Sequence, residues 1–122
     1  MKITPTEIKD VLVIEPDIFA DNRGWFIESY NKKKLAEVGI EIEFVQSNHS
    51  FTKKRGTLRG LHFQHHPHSQ SKLVRCVKGA ILDIVVDLRK NSPTYKKYAA
   101  VELTEDNKKQ LFIPKGFAHG IL

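Results

Sequence analysis

The stretch AILDIVVDL, Ala80 to Leu88, decides the fold class. Ala80, Leu82, Ile84, Val86 and Leu88 occupy alternate positions, and Asp83 and Asp87 fall between them. That period of two belongs to a strand, because a helix turning every ~3.6 residues would scatter the same residues around its axis. Lys78-Gly79 just before it reads as a tight hairpin turn. Outward from this segment, short β-branched and aromatic runs recur between turn residues: Ile8 to Ile14, Trp25 to Tyr30, Phe44 to Phe51, Leu58 to Gln64, Leu73 to Val77, Tyr98 to Leu103 and Leu111 to Ile113. With Ala80 to Leu88 they make enough strands for an all-β sandwich or barrel. Only NKKKLAEVG (31–39) reads as a helix, with Asn31 as N-cap and Gly39 just past the end.

A chain of 122 residues with 40% apolar content is one domain, residues 1–122, with enough side chain for a core. No apolar run approaches the ~18 residues of a membrane span, and MKITPTEIKD lacks the apolar segment of a secretory signal, so a cytoplasmic protein with no membrane partner is expected. Cys76 stands alone in LVRCV and reads as a small core residue. The net charge of +6 favours an anionic partner. Its basic clusters, such as Lys32-Lys33-Lys34 and Lys53-Lys54-Arg55, read as solvated turns and helix ends. No finger spacing, helix-turn-helix pattern or aromatic-interleaved basic stripe points to nucleic acid. FIPKGFAHGIL closes the chain on what looks like the start of a strand, so a longer protein, of which this is the front part, is expected.

The chemistry concentrates in GLHFQHHPHSQSK, 60–72. Gly56, His62-x-Gln64, Lys72 and Gly79 resemble the first motif of the cupin superfamily, and Pro114-x-Gly116-x-x-His119 resembles the core of the second, with Lys108 where a glycine is usual. A cupin-like jelly-roll barrel is therefore expected. Metal-dependent cupins have a second histidine and a glutamate where Gln64 and Lys72 stand here. An ammonium has no lone pair to give and repels a divalent ion. No metal and no cofactor are expected; His62 remains as a possible proton-transfer base beside a cation suited to an oxyanion. His65, His66 and His68 flank Pro67 in a loop, and a metal site built from His62, His66, His68 and His119 stays open as an alternative. The period of two puts Gln46 with Asn48 on one face and His62 with Gln64 on another, with Arg59 opposite. If Arg59 and His62 serve one ligand, Gly60 marks a bulge or bend that re-aims the arginine.

DNRGWFIESY (21–30), FVQSNHSFT (44–52), GTLRGLHFQ (56–64), QSKLVRCVKG (70–79), DLRKNSPTY (87–95) and FIPKGFAHG (112–120) together closely resemble the dTDP-4-dehydrorhamnose 3,5-epimerase family. The resemblance implies epimerisation at C3 and C5 of a dTDP-4-keto-6-deoxyhexose in dTDP-L-rhamnose synthesis. It makes His62 the base and Lys72 the stabiliser of the enolate oxygen at C4. It assigns Arg59 and His119 to the diphosphate, Gln46 and Asn48 to the phosphate or sugar region, and Arg23, Phe26 and Glu28 to the thymidine end, with Phe26 stacked on the base. Arginine chelates phosphate oxygens and aromatic rings stack on bases, so the residue types suit those tasks. It also implies a homodimer with exchanged strands. The family's general acid, a tyrosine, and the aspartate that orients the histidine fall in motifs beyond Leu122, and neither Tyr95 nor Tyr98 stands in the tyrosine's motif. A dTDP-sugar-binding, non-catalytic homologue, a ketoisomerase and a 5-epimerase remain as alternatives.

Overall fold

The computed structural model describes residues 1–65 and 67–122. Among them are ten strands and one helix: β1 (Lys2–Pro5), β2 (Leu12–Glu15), β3 (Ile18–Asp21), β4 (Gly24–Ile27), α1 (Lys32–Glu37), β5 (Arg59–His62), β6 (Lys72–Arg75), β7 (Ala80–Asp87), β8 (Tyr98–Thr104), β9 (Gln110–Ile113) and β10 (Phe117–Ile121). Two four-stranded antiparallel sheets, in the orders β1-β2-β9-β6 and β5-β10-β7-β8, are accompanied by the separate hairpin β3-β4. The chain crosses between these two sheets from β5 to β6, β6 to β7, β8 to β9, and β9 to β10. That winding is the jelly-roll solution to closing antiparallel strands around one core. No helix among the described residues is long and apolar enough to cross a membrane.

β7 alternates as its sequence requires, and the face it buries is the one that carries the acids. Asp83, Val85 and Asp87 are all 0% exposed, whereas Leu82, Ile84 and Val86 are half-buried. Val85 packs between the sheets with Ile8, Val11, Ala99, Leu103, Leu111, Ile113 and Phe117, and Cys76 packs against the same cluster. β9 is buried on both faces: Leu111 and Ile113 enter that core, while Phe112 joins Ile14, Leu35 and Ile40 beneath α1. Asn31 caps α1 as expected, its Oδ1 accepting from Lys34 N at 3.0 Å.

Three local expectations are corrected. Phe44 to Phe51 forms no ladder among the described residues; Phe44 packs half-buried against the core beneath α1, and the rest runs exposed, with Val45 at 89% and Phe51 at 75%. β propensity reports fitness for a pleated surface, not the presence of a neighbouring strand. Lys78-Gly79 is a corner rather than a hairpin, since β6 and β7 lie in different sheets, and turn residues look alike in both settings. Ile8 to Val11 is a tight loop closed by a Val11 N–H donating to Ile8 O at 2.8 Å; Ile8 and Val11 are apolar because they plug the core, and the strand starts at Leu12. β1 and β3 are additional to the strands expected. β10 is the strand whose start the apolar FIPKGFAHGIL segment suggested, and it lies inside its sheet between β5 and β7. Lys108, the departure from the cupin glycine, has φ 55°, a conformation glycine adopts without strain. Its ammonium donates to Glu105 O at 2.9 Å and lies 4.1 Å from the Trp25 ring centroid.

The turn from β7 to β8 is tied by a buried carboxylate. Asp87 accepts from Arg89 Nε at 3.0 Å, Arg89 Nη2 at 3.0 Å, Ser92 Oγ at 2.6 Å and the Thr94 hydroxyl. Arg89 also reaches Asp10 at 2.8 Å and lies 4.6 Å from the Phe117 ring centroid. Burial pushes the Asp87 carboxyl up, but the hydrogen bonds from Arg89, Ser92 and Thr94 outweigh it and hold the group well below the usual carboxylate range.

Candidate active site

The site is built where β5, β10 and β6 meet. Between β5 and β10 the register slips: His62 faces His119, yet Arg59 faces Ile121, so β5 carries one extra residue. This is the irregularity that Gly60 was read to mark. Gly60 has φ 119°, and a Cβ there would lie 2.8 Å from both Gly120 Cα and His119 O. Only glycine lets β5 approach β10 this closely. The corner into β10 has the same character, since a Cβ on Gly116 would lie 2.6 Å from Arg89 Cγ.

Within this frame three sequence-predicted residues come together. Lys72, the first residue of β6, places its Nζ 3.3 Å from His119 Nε2. His119 is only 6% exposed, and its ring centroid lies 6.3 Å from that of His62. His62 itself is exposed and shares a small cleft with Gln64, Ser69, Gln70 and Lys72. An imidazole and an ammonium thus line one open cleft. Gln64 and Lys72, which stand where metal cupins keep ligands, both line it.

A fourth member was not among the expected site residues. Asp83 Oδ1 lies 3.1 Å from His119 Nδ1, and Asp83 Oδ2 is buried with no hydrogen-bond partner among the described residues. Its one sequence signal was a carboxylate set into an apolar strand; its partner lies 36 positions away.

The remaining candidates are not among the residues that line the cleft. Arg59 turns toward the preceding segment, donating to Thr52 Oγ1 at 2.7 Å and Phe51 O at 3.1 Å. Gln46 donates to Asn48 Oδ1 at 3.2 Å, so the amide pair does share a face. Arg23, Phe26 and Glu28 gather on and after the β3-β4 hairpin. Arg23 pairs with Asp21 at 2.7 Å, and Phe26 is 68% exposed. Glu28 pairs with Lys34 at 3.0 Å; that hydrogen bond, then one from Asn31, draws its carboxyl below the ordinary value. No hydrogen bond or ion pair among the described residues joins this hairpin set to the His62 cleft.

The ring nitrogens of His119 already face other side chains, one of them an ammonium, and no cluster of three or more metal-ligating side chains occurs among the described residues. His66, counted in the metal alternative, lies outside the described residues.

Fold and site together define a cupin-type jelly roll with a histidine-lysine cleft. Residues 5–122 match the family model described as dTDP-4-dehydrorhamnose 3,5-epimerase. The dTDP-4-dehydrorhamnose 3,5-epimerase of Shigella flexneri is 55% identical over 98% of this chain and 66% of its own length. A crystal structure of the Bacillus anthracis enzyme with TDP and PPi bound superposes with a TM-score of 0.95 at 50% identity, covering 98% of this chain and 69% of that one. The Legionella pneumophila enzyme in complex with dTDP-4-keto-L-rhamnose gives 0.91 at 44% identity, over 98% and 63%. The chain belongs to the dTDP-4-dehydrorhamnose 3,5-epimerase family, and it spans about two thirds of the length of the curated relatives it matches.

Proposed function

We propose that this chain acts as a 3,5-epimerase that converts dTDP-4-dehydro-6-deoxy-D-glucose to dTDP-4-dehydro-L-rhamnose. His62 takes the proton from C3 or C5, each acidified by the C4 ketone, and the electron pair moves onto the C4 oxygen. Lys72 donates a hydrogen bond to that oxygen as it gains charge. Reprotonation from the opposite face inverts the carbon and needs a separate acid. A placed donor at the oxyanion contributes roughly 10² to 10³ in rate and the base roughly 10² to 10⁴, so neither group alone accounts for turnover.

The observation that carries this reading is the shared cleft of His62 and Lys72, with the ammonium 3.3 Å from a buried histidine on the strand that pairs with β5. Arg59, Gln46 and Asn48 suit the diphosphate and sugar, and Arg23, Phe26 and Glu28 the thymidine end. The exposed Phe26 offers a stacking face. A homodimer that exchanges strands would give the unpaired 44–51 segment, with its exposed Val45 and Phe51, a strand to pair with. A reducing, cytoplasmic setting suits the free Cys76.

The test is incubation of the protein with dTDP-4-dehydro-6-deoxy-D-glucose in D₂O, following label at C3 and C5 by NMR. Wild type is expected to wash in deuterium at both carbons, and His62→Ala and Lys72→Met to lose at least about 10²-fold in rate. Nucleotide-sugar binding with no wash-in would make the protein a non-catalytic binding homologue and refute the proposal. Wash-in without inversion would locate the base here and the acid elsewhere.

A further inference from the structure

Lys72, His119 and Asp83 form a row across the two sheets: Lys72 Nζ to His119 Nε2 at 3.3 Å, then His119 Nδ1 to Asp83 Oδ1 at 3.1 Å. Only one proton arrangement leaves Lys72 a cation and satisfies both contacts. The Asp83 carboxylate accepts from His119 Nδ1–H, and the Nε2 lone pair accepts one N–H of the ammonium. Two of the three ammonium hydrogens have no partner among the described residues. His119 is buried, with one ring nitrogen toward Lys72 and the other toward Asp83.

Asp83 is otherwise hard to account for. It is fully buried beside Val85, and its Oδ2 has no partner among the described residues. Taking a carboxylate out of water costs several kcal/mol, and a well-packed apolar residue is often as stable or more so at such a place. Asp87, on the same face, has several donors around it and serves the fold. Asp83 has one, and that donor leads to Lys72.

We infer that Asp83 is a positioning residue: through the His119 tautomer it fixes, it holds the Lys72 ammonium with its free N–H bonds toward the cleft, where the C4 oxygen would lie. The inference rests on the proposed reading for the identity of that oxygen, but its structural content does not. In Asp83→Asn the side-chain amide can donate to Nδ1, which drives His119 to the Nε2–H tautomer. Nε2 then opposes the ammonium donor-to-donor, and Lys72 loses its anchor. A misplacement of about 1 Å costs on the order of 10²-fold in rate.

Two readouts test this on the whole protein. Imidazole ¹⁵N shifts, assigned with His119→Gln, are expected to report Nδ1–H in wild type and Nε2–H in Asp83→Asn. Deuterium wash-in is expected to slow by about 10²-fold in kcat with KM nearly unchanged. An unchanged tautomer, or a variant that only melts earlier while turning over normally, overturns the proposal. If wild type washes in no label yet the tautomer switches, the epimerase reading fails and the positioning of Lys72 stands. Should Asp83→Asn fail to fold, two variants of the middle residue decide. The longer His119→Gln amide can place its oxygen at the Lys72 end, whereas the shorter His119→Asn amide reaches only the Asp83 end, so the glutamine variant is expected to be the faster; the reverse order overturns the proposal.

Discussion

Replacing Asp87 with asparagine keeps the volume and removes the charge from a site where several donors converge. Asp87 is 0% exposed and accepts from Arg89, Ser92 and Thr94. An asparagine there turns an NH₂ against one of those donors and leaves Arg89 without its buried counter-ion. Breaking a buried charge pair costs about 3–5 kcal/mol. The low end applies, about 3 kcal/mol, because the Arg89 side chain is 35% exposed and keeps Asp10 as a partner in a solvent-screened pair. With an m-value of about 2 kcal/mol/M, the urea midpoint of Asp87→Asn should fall by about 1.5 M at pH 7. The pH dependence supplies the sign. The folded-state carboxyl lies below its unfolded value, so its stabilisation is fully present above about pH 4 and is lost as pH falls toward the folded-state value. Wild-type and variant stabilities should therefore converge below about pH 4. A midpoint shift under about 0.5 M, or a gap that stays constant down to pH 3, would refute the role given to this carboxylate.

Gly60→Ala should destabilise by about 2 kcal/mol or more in thermal or urea unfolding, because the new methyl meets backbone atoms of β10 that cannot step aside. Gly116→Ala should cost less, about 1–2 kcal/mol, since it too has positive φ but meets a side chain; equal or inverted losses would show that the β5-β10 approach is not the tighter contact. Asn31→Ala should remove about 1 kcal/mol by deleting the cap on α1, while Asn31→Asp should recover most of it, both read from urea midpoints.

Much of the site was legible because its residue types are chemically improbable in combination. A lysine in a cupin-like glutamate position, after a His-x-Gln, reads as a cation suited to an oxyanion. Lys72 and His62 indeed share one cleft. Gly60 was legible as a backbone device. Asp83 was not recognised as part of the site, since nothing local says that an acid in an apolar strand meets a histidine 36 residues on. The 44–51 segment was misread because a strand's sequence describes one surface of a ladder, and the other surface must come from somewhere else.

Alternation alone settled that Ala80 to Leu88 is a strand, and six ordered blocks of residues settled the family. Which side of that strand faces inward was decided only in three dimensions. A period of two looks the same with either face inward, and an apolar face turned to the core would have been the simpler outcome. The acidic face is buried instead, because Arg89, Ser92 and Thr94 close over Asp87 and His119 meets Asp83. Those partners come from a turn and a distant strand, so the free energy that permits two buried carboxylates exists only once the sheets have closed.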